Sequence, residues 1–238
     1  MNWKEIYEIQ FIDAPGCWET CSSYCCSNFH ADKMSLLSKR GVVLPLFPGE
    51  WRHQQTLGAE DRPGTEHRMD TYTLPDGTEW KQHFLFCSCE GQCAPHTSRP
   101  LICRIYPYFP TVDVDGNVTG FEFSALMDLC YEDPAKDHPC TLVRERDEDV
   151  RQALAKAMTF LKQRPDLIFA FMVLRRLADT FRDAMGMTLD TAGDSGQFFK
   201  KFEWLVFSRK AWRKKEFIEG VMQDLQRVRD KYGRFDLD

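Results

Sequence analysis

Cys140-Thr-Leu-Val-Arg-Glu-Arg-Asp147-Glu-Asp-Val150-Arg-Gln-Ala-Leu154-Ala-Lys-Ala157-Met158-Thr-Phe-Leu161-Lys-Gln-Arg-Pro165 is where the chain changes character. Val150, Leu154, Ala157, Met158 and Leu161 recur at helical spacing, so from Asp147 onward the pattern predicts helices. All ten cysteines lie at or before Cys140. The two changes together divide a cysteine-rich region, residues 1–143, from a helical region, residues 144–238. The expected fold is α+β: an irregular half with short β-hairpins, then a mainly α-helical half packed on it.

Downstream, Pro165 and Asp166 both favour a helix start, and a second helix is expected through Phe169, Met172, Val173, Leu177 and Phe181 to about Met185. Gly186, Gly193 and Gly196 punctuate a connector. A third helix is expected from about Gln197, its buried face carrying Phe198, Phe202, Leu205, Val206, Phe217, Ile218, Val221, Leu225 and Val228. Upstream, Thr71 to Phe86 reads as two strands joined by Pro75-Asp76-Gly77, and Thr111 to Phe123 as a second hairpin. Asp113-Val-Asp115-Gly116 has its glycine two places too early for a calcium loop, which leaves a tight turn. Gly49 to Asp70 shows no period and reads as a long surface loop turning at Pro63-Gly64.

With 238 residues, 43% of them apolar and 28% charged, the chain can bury a substantial core and is neither collagenous nor broadly disordered. A net charge of -5 argues against a dedicated nucleic-acid binder. The exception is Lys200, Lys201, Arg209, Lys210, Arg213, Lys214 and Lys215, interleaved with Trp204 and Trp212. It reads as a solvated helix face or a docking surface for a protein partner. Charges within Met1 to Gln10 leave no apolar core for a signal peptide. The most apolar helix-like stretch, Leu167 to Leu174, meets Arg175 and Arg176 well short of the ~20 residues of a membrane span. The expected location is cytoplasmic, where a reducing milieu makes clustered thiols metal ligands or catalytic groups rather than disulfides.

Eight cysteines form two groups. In Cys17-Trp-Glu-Thr-Cys21-Ser-Ser-Tyr-Cys25-Cys26, the first three are spaced i, i+4, i+8, which on a helix lines three thiols along one face. Cys26 joins them only if the segment is irregular or ends there. The second group is Cys87, Cys89, Cys93 and Cys103, with Gly91 and Pro95 bending the chain between them. Eight thiols suffice for an iron-sulfur cluster with spares, two zinc ions or a multinuclear iron site. Arg99 and Arg104 either offset thiolate charge and bind substrate or, in the case of Arg99, anchor the turn around Pro100. Cys130 and Cys140 form a further pair whose spacing is not diagnostic.

The first run, then Gly91-Gln-Cys93 followed by Arg99-Pro100-Leu-Ile-Cys103-Arg104-Ile-Tyr106-Pro107, resembles the YkgJ-like cysteine-cluster family, described as zinc- or iron-chelating domains. The resemblance spans about residues 17 to 107. It implies metal binding through Cys17, Cys21, Cys25, Cys26, Cys87, Cys89, Cys93 and Cys103, with iron in a cluster favoured over zinc or non-haem iron. The chain departs from the family in having three residues between its first cysteines where two are usual. It has both Cys87 and Cys89 where one cysteine is usual, and His96 where tyrosine is frequent, as a replacement ring or an extra ligand.

No phosphate loop, dinucleotide glycine pattern, nucleophile elbow or His-Glu-x-x-His helix is present. The readings that remain are an iron-sulfur protein, a metalloenzyme using that site for redox or group transfer, and a structural zinc module. The second draws on the resemblance, since families with similar cysteine clusters are implicated in modifying protein side chains.

Overall fold

The computed structural model describes residues 1–14, 16–36, 41–62, 64–88, 98–192 and 194–238. Short elements alternate in the first half: α1 (Trp3–Tyr7), α2 (Cys17–Thr20), β1 (Val42–Pro45), α3 (Glu50–Thr56), β2 (Thr65–Thr73), β3 (Glu79–Cys87), α4 (Leu101–Ile105), β4 (Tyr108–Val112), β5 (Val118–Phe123) and α5 (Pro134–Asp137). The rest is helical, with α6 (Thr141–Ala157), α7 (Pro165–Met185), α8 (Ser195–Ser208) and α9 (Lys215–Tyr232). β3 is the centre of an antiparallel sheet ordered β1-β3-β2, and β4 pairs with β5 in a separate antiparallel hairpin. The fold is α+β, with small antiparallel sheets in the N-terminal half and helices in the C-terminal half.

Both hairpins form where their turn residues place them. Gly77 takes φ +83°, and the Asp76 carboxylate accepts from the backbone and hydroxyl of Thr78, each at 2.9 Å. In the second, Asp113 Oδ1 accepts from the backbone of Asp115 and Asn117, so its carboxylate serves the turn. That hairpin is clamped to the helices by ion pairs Asp115–Lys231 and Glu122–Arg182.

α7 starts at Pro165 and ends on Gly186 in the left-handed conformation. Every residue from Leu167 to Val173 is buried, as expected of a helix that is apolar all round and central to the fold. The main core runs from Trp3, Phe11 and Tyr24 through Leu101, Ile105 and Tyr108 to Phe169, Phe198, Val228 and Leu237. It therefore crosses the composition boundary, which falls in the first turn of α6. Leu46, Trp51, Ala59 and Leu85 form a smaller cluster beside it.

Two expectations are corrected. Gly49 to Asp70 is not a loop: α3 occupies Glu50–Thr56 and β2 begins at Thr65. Its signal was hidden because α3 is too short to show a period and β2 is largely exposed along its length. Pro63 lies outside the described residues, as does Gly193 of the later connector. The helix expected from Gln197 through Val228 is two helices, broken where Arg209 adopts φ +54° and Ala211–Arg213 forms a 3-10 turn. α6 is kinked at Arg146, whose φ -136° and ψ 23° are not helical, so the helix expected from Asp147 starts there, preceded by a short helical piece from Thr141.

Candidate metal centre

The first cysteine run is not one helix. α2 stops at Thr20, Ser22 and Ser23 take φ +51° and +60°, and Tyr24–Cys26 forms a 3-10 turn. Serine hydroxyls compete for backbone hydrogen bonds and weaken a helix interior, so two in succession mark the break. The single-face stripe through Cys25 is thereby corrected, yet the irregular turn is the condition under which Cys26 joins its neighbours. The Cys25 and Cys26 sulfurs lie 3.6 Å apart, a hydrogen-bond distance well beyond the ~2.05 Å of a disulfide. Cys21 Sγ donates to the Cys17 carbonyl at 3.3 Å, and the Thr20 hydroxyl meets that of Thr141 at 2.9 Å, docking α2 on α6.

The second run is held from behind by Glu50, which has no exposed surface. Its Oε1 accepts from Tyr7 Oη and the Leu101 backbone N–H, each at 2.6 Å, and its Oε2 from the Phe47 N–H at 2.9 Å. Burial raises the Glu50 carboxyl above its ordinary value against these donors. Glu50 thus fixes the start of α4, the helix that carries Cys103. Gln54 adds a bond to the Ser98 carbonyl at 3.1 Å, beside Arg99.

The thiols of the two runs act on one another electrostatically. Burial raises the Cys17 thiol; Arg99 opposes that through its charge and a hydrogen bond, while Cys21 and Cys26 add to it. The Cys25 thiol is pushed well up by its hydrogen bond with Cys26, then by burial, then by the charges of Cys26, Cys103 and Cys17. Thiols from both runs, with a guanidinium beside them, therefore share one half-buried region. Cys140 also feels Cys21, and burial pushes it up to about 11; burial followed by the charge of Asp128 pushes Cys130 up to about 12.

Other expected site residues stand elsewhere. Arg104 turns away from the thiols, donating to the Ile9 carbonyl at 2.7 Å and lying over the Tyr7 and Phe11 rings. Cys87 ends β3, opposite Val42 and Thr65. Cys89, Cys93 and His96 lie outside the described residues, as do Gly91 and Pro95.

The sequence reading passed over a buried polar group beside these thiols. Asp128 and His138 are fully buried. Tyr24 Oη donates to Asp128 Oδ1 at 2.7 Å and Tyr106 Oη to Oδ2 at 2.9 Å. His138 Nδ1 accepts from the Cys140 N–H at 3.1 Å, which leaves its proton on Nε2. That nitrogen lies 3.2 Å from Asp128 Oδ1, close but off the line of a good hydrogen bond. Tyr131 bonds to Tyr24, and His30 Nε2 meets the Tyr131 hydroxyl at 3.0 Å. One signal was available: Asp128 is a lone acid within Ala125-Leu-Met-Asp128-Leu-Cys130, where an unpaired carboxylate would be costly.

The donor set suits a soft metal, since partly buried thiols that raise one another's pKa gain from a shared cation. Among the described residues, however, no three His, Cys, Asp or Glu side chains are drawn closely enough together to form a coordination shell. No helix among them is long and apolar enough to cross a membrane. On the basic face, Trp204 and Phe207 are half exposed, with Lys210 Nζ 5.1 Å from the Trp204 ring centre. No family model, curated protein or solved structure matches this chain.

Proposed function

We propose that the chain is a metal-binding protein whose cysteines, from two sequence groups, hold an iron-sulfur cluster. The observation that carries this reading is the placing of Cys25, whose sulfur is 3.6 Å from that of Cys26, within electrostatic reach of both Cys17 and Cys103, far along the sequence, with Arg99 beside Cys17. The resemblance to the YkgJ-like family supports it, with Cys87, Cys89 and Cys93 as further thiol donors. Four thiolates serve either a cluster or one zinc ion, so it is the resemblance that favours iron. Arg99 offsets thiolate charge, and Cys17, Cys25 and Cys103 have to close on one another as they ligate, which links binding to folding. The reading implies a reducing, cytoplasmic setting and leaves the basic face as the surface for a protein partner or substrate.

Anaerobic purification with iron supplied, followed by iron, zinc and acid-labile sulfide analysis and an absorption spectrum, tests it. Stoichiometric iron with sulfide and a visible thiolate-to-iron band is expected. Zinc alone would place a structural zinc module ahead, and no metal at all would end the reading.

A further inference from the structure

We propose that Asp128 is the positioning residue of the thiol region, holding the two cysteine-bearing segments in register. Its two carboxylate oxygens are divided between them: Oδ1 accepts from Tyr24, the residue before Cys25, and Oδ2 from Tyr106, three residues after Cys103. Tyr24 is buried and Tyr106 partly buried, and each phenol donates to its own oxygen of the fully buried carboxylate. A phenol bonded to a carboxylate in such a setting is held in distance and direction, because the alternative is a buried acceptor without its donor. Asparagine does not replace this bridge, having one acceptor oxygen where two are used.

The thiols adjoin the bridge along the chain: Cys25 follows Tyr24 in one 3-10 turn, and Cys103 lies in α4, which Tyr106 caps. Cys25 and Cys140 both contribute to the raised Tyr106 phenol, and Cys103 acts on Cys25. His138 backs the carboxylate and is itself fixed by the Cys140 backbone N–H, so Cys140 is tied to the same anchor. The 3-10 turn Asp128–Cys130 thus acts as a clamp between a turn on one side and α4 on the other. Groups that orient ligands from behind are typically worth about 10- to 100-fold in metal affinity. The inference rests on Cys25 and Cys103 being partners at one centre, whichever metal they bind.

The test uses the full chain with Tyr24→Phe, Tyr106→Phe and Asp128→Asn, and Tyr108→Phe as a matched control. Tyr108 also donates to a carboxylate, that of Asp147 on α6, and its ring lies under Arg151. Two readouts are taken: Co(II) titration followed by the thiolate-to-cobalt charge-transfer band, and, in metal-free reduced protein, cross-linking by dibromobimane mapped to peptides by mass spectrometry. Tyr24→Phe and Tyr106→Phe should weaken Co(II) binding at least tenfold and sharply reduce the Cys103 cross-link to Cys25 or Cys26. Tyr108→Phe should leave both unchanged even where it lowers thermal stability as much. If the Tyr24 and Tyr106 variants keep the wild-type cross-link and cobalt affinity, Asp128 only stabilises the core and the proposal is overturned. If wild-type protein cross-links with loss in those variants but binds no metal, positioning stands and the metal-binding reading falls. Should Asp128→Asn not fold, the two phenylalanine variants still decide the matter.

Discussion

Glu50 is a carboxylate without exposed surface that serves three donors, and its replacement by alanine leaves Tyr7, Phe47 and Leu101 without an acceptor. A loss of about 3 kcal/mol is expected, read as a lower urea midpoint at unchanged slope. At the surface, His67 Nε2 meets His83 Nδ1 at 2.9 Å, and Trp51 stacks on the His67 ring at 3.7 Å. Burial and then His83 pull the His67 imidazole below its ordinary 6.5, with Glu60 opposing. An imidazole held low in the folded state takes its proton earlier in the unfolded chain, so this contribution is whole above about pH 6.5 and falls as the pH drops below it. NMR titration should place the His67 midpoint below 6.5; a midpoint above it would show that a charged pair with Glu60 dominates.

The β4–β5 turn is an element where a single methyl group should matter. Gly116 has φ +74°, and a Cβ there would meet the Leu161 and Lys162 backbone at 2.9 to 3.0 Å. Gly116→Ala should cost about 2 kcal/mol or more, combining backbone strain with a clash against the helical half. Gly77→Ala, in a turn with the same sign of φ but open space around it, should cost only about 1 kcal/mol. Thermal melts of the two variants separate strain from contact, and equal losses would remove the contact from the account. These hairpins were legible because their turns are chosen by local chemistry: Asp76-Gly77 and Asp113 to Gly116 need nothing from the rest of the chain. The break between α8 and α9 was not, since Arg209 has no intrinsic preference for φ +54° and neither Gly nor Pro marks it. α3 was hidden for a different reason: its buried Glu50 and Gln54 look polar in sequence and gain their meaning only from Tyr7, Leu101 and Ser98.

Across the whole molecule, the two cysteine groups were visible in their spacing, but what sets them facing one another was not. Tyr24, Tyr106 and Asp128 are ordinary residues until the chain folds. The basic face is a separate matter. Replacing Lys210, Arg213, Lys214 and Lys215 by Glu should leave metal content and thermal unfolding nearly unchanged, because all four are exposed. Cys25→Ser and Cys103→Ser should lower both. Metal analysis and calorimetry on the three proteins check this, and lost metal in a folded charge-reversed variant would join that face to the site. Half of the Trp204 ring stands in water with an ammonium above it, while Trp3 and Trp51 are sealed inside. Its emission should therefore lie to the red of theirs and be quenched readily by iodide, which the surrounding cations draw in, and poorly by caesium ions, which they repel. Light alone would then report the moment an acidic partner covers that face, in a chain whose remaining surface is predominantly negative.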